Sequence, residues 1–242
     1  MTHQKKLSKK NYFFILFIAS LTLTALTAFI SITNNVHDSI SFIDNDSLKI
    51  TLPKEGRLVN DKPVGKNWIN LLPSLDGWNA DTAYKLTNGV LHADYYGGKF
   101  HDFAWTKKIY KDFKLQALVK LDGKDANSGV CIRLNPVDAD NAPGYQIDMG
   151  VGYWGCLWEE KRAGMVQKFS DSLANILVKK QDWNHYYVIA QGHHIQAWLN
   201  GVKTIDIVHN AGFEEGSIGL QLCHGDKHTI LDVKCLYIQE IK

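Results

Sequence analysis

The chain carries almost no net charge: 27 lysines and arginines stand against 25 aspartates and glutamates over 242 residues. An excess of +2 is too small to argue for nucleic acid or an anionic surface as partner. Even that excess is local, because Lys5, Lys6, Lys9 and Lys10 fall in the first ten residues and leave 23 basic against 25 acidic side chains. No glycine-rich phosphate loop, nucleophile elbow or zinc-protease helix motif is present, which removes the usual sequence grounds for those three chemistries. There is no internal repeat, and beyond the N-terminal run no stretch keeps a helical period, so solenoids and helical bundles are disfavoured. Cysteine is scarce. Cys131, Cys156, Cys223 and Cys235 are spaced like no metal motif. Two disulfides in one of three connectivities are open to them in an oxidising compartment, but a domain of this size does not need staples, which favours buried free thiols.

One segment has no charge at all. From Tyr12 to Ile32 only Ser20, Thr22, Thr24, Thr27 and Ser31 interrupt an apolar run of 21 residues. That exceeds the roughly 7–15 residues of a cleavable signal core and matches the roughly 20 that span a bilayer. With four lysines before it, no small-x-small cleavage site after it and no nearby cysteine for a lipid, residues 1–33 read as an export signal, with an uncleaved anchor preferred. The lysines would stay cytoplasmic and the rest of the chain would be exported, periplasmic or at the cell surface and tethered by residues 12–32. Residues 34–66 are polar and broken by Pro53, Gly56, Pro63 and Gly65, which predicts a spacer, with a short edge strand open to Leu48–Leu52.

Residues 67–242 read as one all-β domain. Phe113, Leu115, Ala117, Val119 and Leu121 alternate with Lys114, Gln116, Leu118 and Lys120, and Asp122-Gly123 closes that strand. Val130, Ile132 and Leu134 are predicted to point one way, with Cys131 and Arg133 opposite. Tyr145, Ile147 and Met149 likewise oppose Gln146 and Asp148. Turns at Gln191-Gly192 and Asn200-Gly201 separate further strands, and two more run around Ile218–Cys223 and Thr229–Ile241. Taking Gly225-Asp226-Lys227 as a hairpin turn places Cys223 opposite about position 229. Ten or more short strands with frequent turns predict two packed antiparallel sheets, a jelly-roll sandwich, with Asp171–Lys180 the one candidate short helix.

The polar faces of these strands carry the candidate chemistry. Arg133, Gln146 and Asp148 offer a guanidinium, an amide and a carboxylate suited to a polyol, though alternation alone fits a solvated outer face better. Residues 150–158 set Tyr153, Trp154 and Trp158 among three glycines; indole faces suit the C–H faces of sugar rings, and a core role is the alternative. Glu160 and Arg162 follow directly. His224 and His228 with Asp226 form a weak candidate site for a divalent metal, and His224 is an alternative base. No cofactor is required by this pattern.

Taken in order, Asn127-Ser128-Gly129-Val130 with Arg133, then Gly144-Tyr145-Gln146-Ile147-Asp148, then Gly152-Tyr153-Trp154-Gly155-Cys156-Leu157-Trp158 closely resembles the 3-keto-disaccharide hydrolase domain family. Leu75-Asp76-Gly77-Trp78 upstream, with Ile195-Gln196-Ala197-Trp198-Leu199-Asn200-Gly201 and Gly219-Leu220-Gln221-Leu222-Cys223-His224 downstream, extends the resemblance over nearly all of 67–242. It implies a concanavalin-like jelly roll and cleavage of glycosides already oxidised at C3, with a carbohydrate as partner. Gln146 stands where many members carry Glu, and an amide cannot take up a proton, so a base does not carry over to that position. Glu160 and Arg162 match an Asp-Glu-Ser-Arg-like stretch of one branch, while Glu159 and Lys161 depart from it. A 3-keto group acidifies the C2 proton, so the site needs a base, an electrophile and an acid for the C1 oxygen. Strand face and residue type assign Glu160, as base or acid, with Asp148, Arg133, Arg162 and, as the alternative base, His224 to those roles, and Asn127, Gln146, Trp154, Trp158 and Gln221 to holding the sugar. The competing expectation is a lectin-like module that binds glycans without cutting them.

Overall fold

A computed structural model of the protein describes residues 49–225 and 228–242. The signal or anchor assigned to 1–33, the first part of the spacer, and Asp226 lie outside the described residues. Among the described residues no helix is long and apolar enough to cross a membrane.

In chain order the first strands are β1 (Leu58–Val59), β2 (Lys62–Pro63), β3 (Ile69–Asn70), β4 (Trp78–Asn79), β5 (Tyr84–Thr87), β6 (Val90–Tyr95), β7 (Asp102–Tyr110) and β8 (Phe113–Asp122). Next come β9 (Asn127–Leu134), β10 (Gly144–Gly150), β11 (Leu157–Glu160) and β12 (Gly164–Gln167), then the short helix α1 (Asp171–Leu177). The chain ends with β13 (Asn184–Gln191), β14 (His194–Leu199), β15 (Val202–Val208), β16 (Gly216–Leu222) and β17 (Thr229–Glu240). One sheet runs β15-β14-β13-β8-β17-β6-β5, with β3 added against β17; the other runs β12-β11-β10-β9-β16-β7-β4. Every ladder is antiparallel. The two sheets face each other across one core, to which the first contributes Phe113, Leu115, Val119 and Val188 and the second Val130, Ile132, Ile147, Met149 and Leu220. The β-sandwich is as alternation predicts: buried and half-exposed residues take turns along most of β8 because only one face of each sheet meets the other, with Gln116 buried as well where residues 49–66 cover the outer face. At the β14–β15 hairpin Asn200 and Gly201 both have positive φ, 50° and 93°, the pair a type I′ turn requires. Cys131 and Cys156 are buried free thiols, Cys235 is a half-buried one, and Cys223 is buried as well.

Three local expectations change. Lys49–Lys66, the described part of the expected spacer, lies on the outer face of the larger sheet: Thr51 N–H donates to Gly201 O at 2.9 Å, and Gln116 Nε2 donates to Glu55 O at 3.1 Å. Tyr187 and Trp198, paired at 5.3 Å, make that face apolar, and Gly56 sits directly over the Tyr187 ring, so the segment covers surface that water would otherwise meet. Ile50 bridges to Val202 at the sheet edge, where a short strand was expected. Second, Leu134 does not join Val130 and Ile132. Arg133 has φ +54°, which breaks the alternation and turns Leu134 to the outer face beside Phe103, Cys131 and Ala142. Third, β16 and β17 are no hairpin: they belong to opposite sheets, so Cys223 faces no residue of β17 across a ladder.

Candidate functional site

The outer face of the seven-stranded sheet is divided. On one half Phe103, Cys131, Leu134 and Ala142 form a small apolar cluster, covered by residues 135–143, which are pinned where Phe103 N–H donates to Ala139 O at 2.9 Å. The other half is polar and open. Register builds it: Gln146 of β10 lies opposite Cys131 of β9 on one side and Trp158 of β11 on the other, and Asp148 lies opposite Gly129. Period-two alternation then puts Glu160 of β11 on the same face, and Gln221 of β16 is paired with Gly129. The result is a cleft of about 240 Å³ floored by Gln146, Asp148, Glu160 and Gln221 and walled by Asn127, Tyr153, Trp158, His101, Cys223 and His224.

Gly129 makes this floor possible. A Cβ there would lie 2.1 Å from Gln146 Cγ, so only glycine lets the glutamine side chain lie across β9. From that position Gln146 Nε2 donates to Asp148 Oδ1 at 3.0 Å, and Met149 N–H donates to the same oxygen at 2.9 Å. Behind the carboxylate, Tyr186 of the facing sheet donates its hydroxyl to Asp148 O at 2.9 Å, and the turn at residues 151–155 returns the chain so that Asp148 N–H donates to Cys156 O at 3.0 Å. Glu160 is held in a matching way, Gln221 Nε2 donating to its Oε1 at 3.0 Å. Gln221 Oε1 is buried and accepts no hydrogen bond among the described residues.

Burial governs the charges. Asp148 is 3% exposed, and desolvation pushes its pKa from 3.8 up to about 7 against the pull of the Gln146 and Met149 N–H groups, with Glu160 adding to the rise. Glu160, 8% exposed, is likewise raised by burial, with the Gln221 donor and Lys161 opposing. Two carboxyls that hold protons more tightly than usual therefore open on one cleft beside an indole. Trp158 is set edge-on by Tyr153, with ring centres 6.4 Å apart at 79°.

Of the residues named from sequence, Asn127, Gln146, Asp148, Trp158, Glu160, Gln221 and His224 share this cleft; Arg133, Arg162, Trp154 and His228 do not. Arg133 is wholly buried at one end of the sandwich, its φ of +54° turning it away from Gln146. There its guanidinium donates to the carbonyls of Lys111 (3.0 Å), Gly192 (2.6 Å) and Phe213 (3.3 Å), tying loops together instead of facing solvent. Arg162 lies beyond the β11 turn, paired with Glu159 at 3.0 Å and lying over the Phe213 ring, because Glu159 sits on the strand face opposite Glu160. Trp154 stacks on Tyr186 at 6.4 Å and lines a different hollow. His228 is also elsewhere, bonded to Asp94 at 2.7 Å and stacked on Tyr96, so it shares no metal site with His224.

Sequence reading missed His101, Tyr153 and Cys223. Alternation from Gln221 would have found Cys223, and Tyr153 stood inside the aromatic stretch but was passed over for the two tryptophans. His101 carries no pattern of its own; only the adjacency of β7 and β16 brings it to the cleft. His101, Cys223 and His224 offer ligand atoms within 4.8 Å of one another, the one such group among the described residues. Two imidazoles and a thiolate are a donor set that zinc or a similar borderline cation takes, with a fourth position left to the cleft.

Comparisons with known proteins agree with this picture at the level of fold and family. Residues 67–234 match the model of the 3-keto-alpha-glucoside-1,2-lyase-like domain. A provisionally assigned glycosyl hydrolase from Parabacteroides distasonis is similar at 25% identity and TM-score 0.54, covering 73% of this chain and 100% of its own. The carbohydrate binding module CBM66 from Bacillus subtilis has TM-score 0.55 at 15% identity, covering 68% of this chain and 96% of its own. A B. subtilis protein of unknown function with a galectin-like fold has TM-score 0.52 at 8% identity, covering 67% and 89%. No curated protein is similar to the chain in sequence.

Proposed function

The chain belongs to the 3-keto-alpha-glucoside-1,2-lyase-like domain family, and from that premise we propose that its cleft cleaves glycosides already oxidised at C3. The observation that carries the proposal is the pair of buried carboxyls, Asp148 and Glu160, each held by a glutamine amide on the floor of one cleft. Elimination next to a ketone needs such a pair. Glu160 as base takes the C2 proton; the electrons of that C–H bond pass into the enolate of the 3-keto group and then form the C1–C2 double bond as the C1–O bond breaks. The departing oxygen takes a proton from Asp148, which is about half protonated near pH 7. Water adding across the new double bond afterwards gives net hydrolysis.

Among the described residues no arginine lines the cleft, so holding the enolate oxygen falls to His224 and His101 rather than to Arg133 and Arg162. Trp158 and Tyr153 supply the apolar wall for the ring, while the Asn127 and Gln221 side chains face its hydroxyls. Lys5–Lys10 and the apolar run at 12–32 support placing the reaction outside the cytoplasm, tethered to the membrane.

Glu160→Gln keeps the shape and the hydrogen-bonding amide neighbour but removes the base. Turnover of a 3-keto-α-glucoside should fall about 10²–10⁴-fold, with binding retained. Unchanged turnover removes Glu160 from the mechanism. Binding of the sugar by the unaltered protein with no product would make the domain a carbohydrate-binding module instead.

A further inference from the structure

The cleft does not end at its rim. It shares Asn127 and Tyr153 with a second hollow of about 230 Å³, and that hollow shares Asp125, Ala126 and Val151 with a third of about 280 Å³. Two loops make the walls, residues 123–126 between β8 and β9 and residues 151–156 between β10 and β11. On the saddle between hollows, Val151 and Tyr153 are 86% and 38% exposed and give the path an apolar floor. In the third hollow Trp154 is backed by the Tyr186 ring, nearly parallel at 11°, so its plane is fixed. Around it stand Asp122, Asn175, Lys179 and Gln181, with Gln181 Nε2 donating to Asp122 Oδ1 at 3.0 Å. A rigid indole ringed by an amide pair, a carboxylate and an ammonium is a surface for one sugar ring, with the C–H face on the indole and the hydroxyls on the polar rim.

We propose that the three hollows are one groove, with the oxidised ring in the cleft and the chain that leaves from its C1 oxygen running over Asn127 and Tyr153 to a distal subsite at Trp154. The proposal rests on the reading of the cleft as a 3-keto-glycoside site, and it names the substrate class: gluco-oligosaccharides longer than a disaccharide. The direction follows from the fold, because the opposite half of this sheet face is closed by residues 135–143 over Phe103 and Leu134. At about 240 Å³ the cleft is also smaller than the roughly 300–1,000 Å³ of sites that enclose a drug-sized ligand, so most of a longer chain must lie outside it.

The distal subsite should bind unoxidised units, so it can be tested apart from the chemistry. The full chain is titrated with unoxidised α-gluco-oligosaccharides of two to six units by calorimetry, and the tryptophan indole N–H signals are followed by NMR. Affinity should rise about tenfold with chain length, with the Trp154 signal moving. Trp154→Ala should cancel that gain. Because Trp154 also packs on Tyr186, the exposed pair Asn175→Ala with Gln181→Ala serves as a second variant that does not disturb the core. No detectable binding, affinity independent of length, or a length gain that neither variant reduces overturns the groove. A protein that binds longer chains at Trp154 yet turns over no 3-keto glucoside overturns the reading of the cleft and leaves the groove standing. Turnover of short 3-keto glucosides with no gain from chain length does the reverse.

Discussion

Replacing Asp148 with asparagine should stabilise the protein above neutral pH and leave its stability in acid nearly unchanged. Asp148 is 3% exposed, and burial raises its pKa from 3.8 to about 7. A difference of about three pKa units corresponds to about 4 kcal/mol. A raised folded-state pKa means that the folded protein holds this proton more tightly than the unfolded chain does. No penalty exists below about pH 4; stability is lost as pH climbs from there through about 7, and the loss is constant above. The asparagine carbonyl oxygen can accept the same hydrogen bonds from Gln146 Nε2 and Met149 N–H, without a charge to desolvate. The stability difference between Asp148→Asn and the unaltered protein should therefore be near zero at pH 4 and approach about 4 kcal/mol by pH 8. Glu160 and Asp102, the latter raised by burial and by the charge of Asp81, titrate in both proteins and largely cancel in the difference. Urea unfolding at several pH values across that window measures it. Parallel curves for the two proteins would refute the desolvated carboxyl, and with it the acid assigned to the leaving oxygen.

Other outcomes follow from the same geometry. Cleavage of a 3-keto-α-glucoside should fall on the alkaline side as pH rises through about 7, because Asp148 must carry its proton to give it away; a pH–rate profile flat from pH 6 to 9 would contradict this. Arg133→Met should cost about 3 kcal/mol or more, read as a lowered urea midpoint, since the Lys111, Gly192 and Phe213 carbonyls lose a charged donor. The fraction that still folds should keep its KM, because Arg133 does not reach the cleft. Gly129→Ala should drive Gln146 off the floor, costing about 1–3 kcal/mol, and the loss of the Gln146 donor should move the alkaline limb of activity to higher pH.

Alternation made the sandwich legible: β8 and β10 bury the residues the sequence assigns to the core, and the same rule placed Gln146 and Asp148 on the outer face together. It failed where a residue breaks the period. Arg133, with φ +54°, is not a residue type that announces a left-handed conformation, so the guanidinium that looked like an enolate partner is in fact a tie between loops. Hidden too was the partner of each strand. Glu160 and Gln221 are sixty-one positions apart and meet across a face on which β10 and β9 lie between β11 and β16, an order that no local pattern states. His101 and Cys223 join them for the same reason. The aromatic stretch was informative in kind but not in direction, since the turn at 151–155 sends Tyr153 to the cleft and Trp154 to the hollow beyond.

Removal of the C2 proton of a 3-keto glucoside is the chemistry proposed for this cleft. The most direct measurement incubates the full chain with a 3-keto-α-glucoside, its C2-deuterated form and the unoxidised glucoside, following release of the group at C1. Release from the 3-keto sugar alone, slowed several-fold by deuterium at C2, is the result predicted. Release from the unoxidised glucoside at a similar rate, or a sugar that binds and is never cleaved, would contradict it.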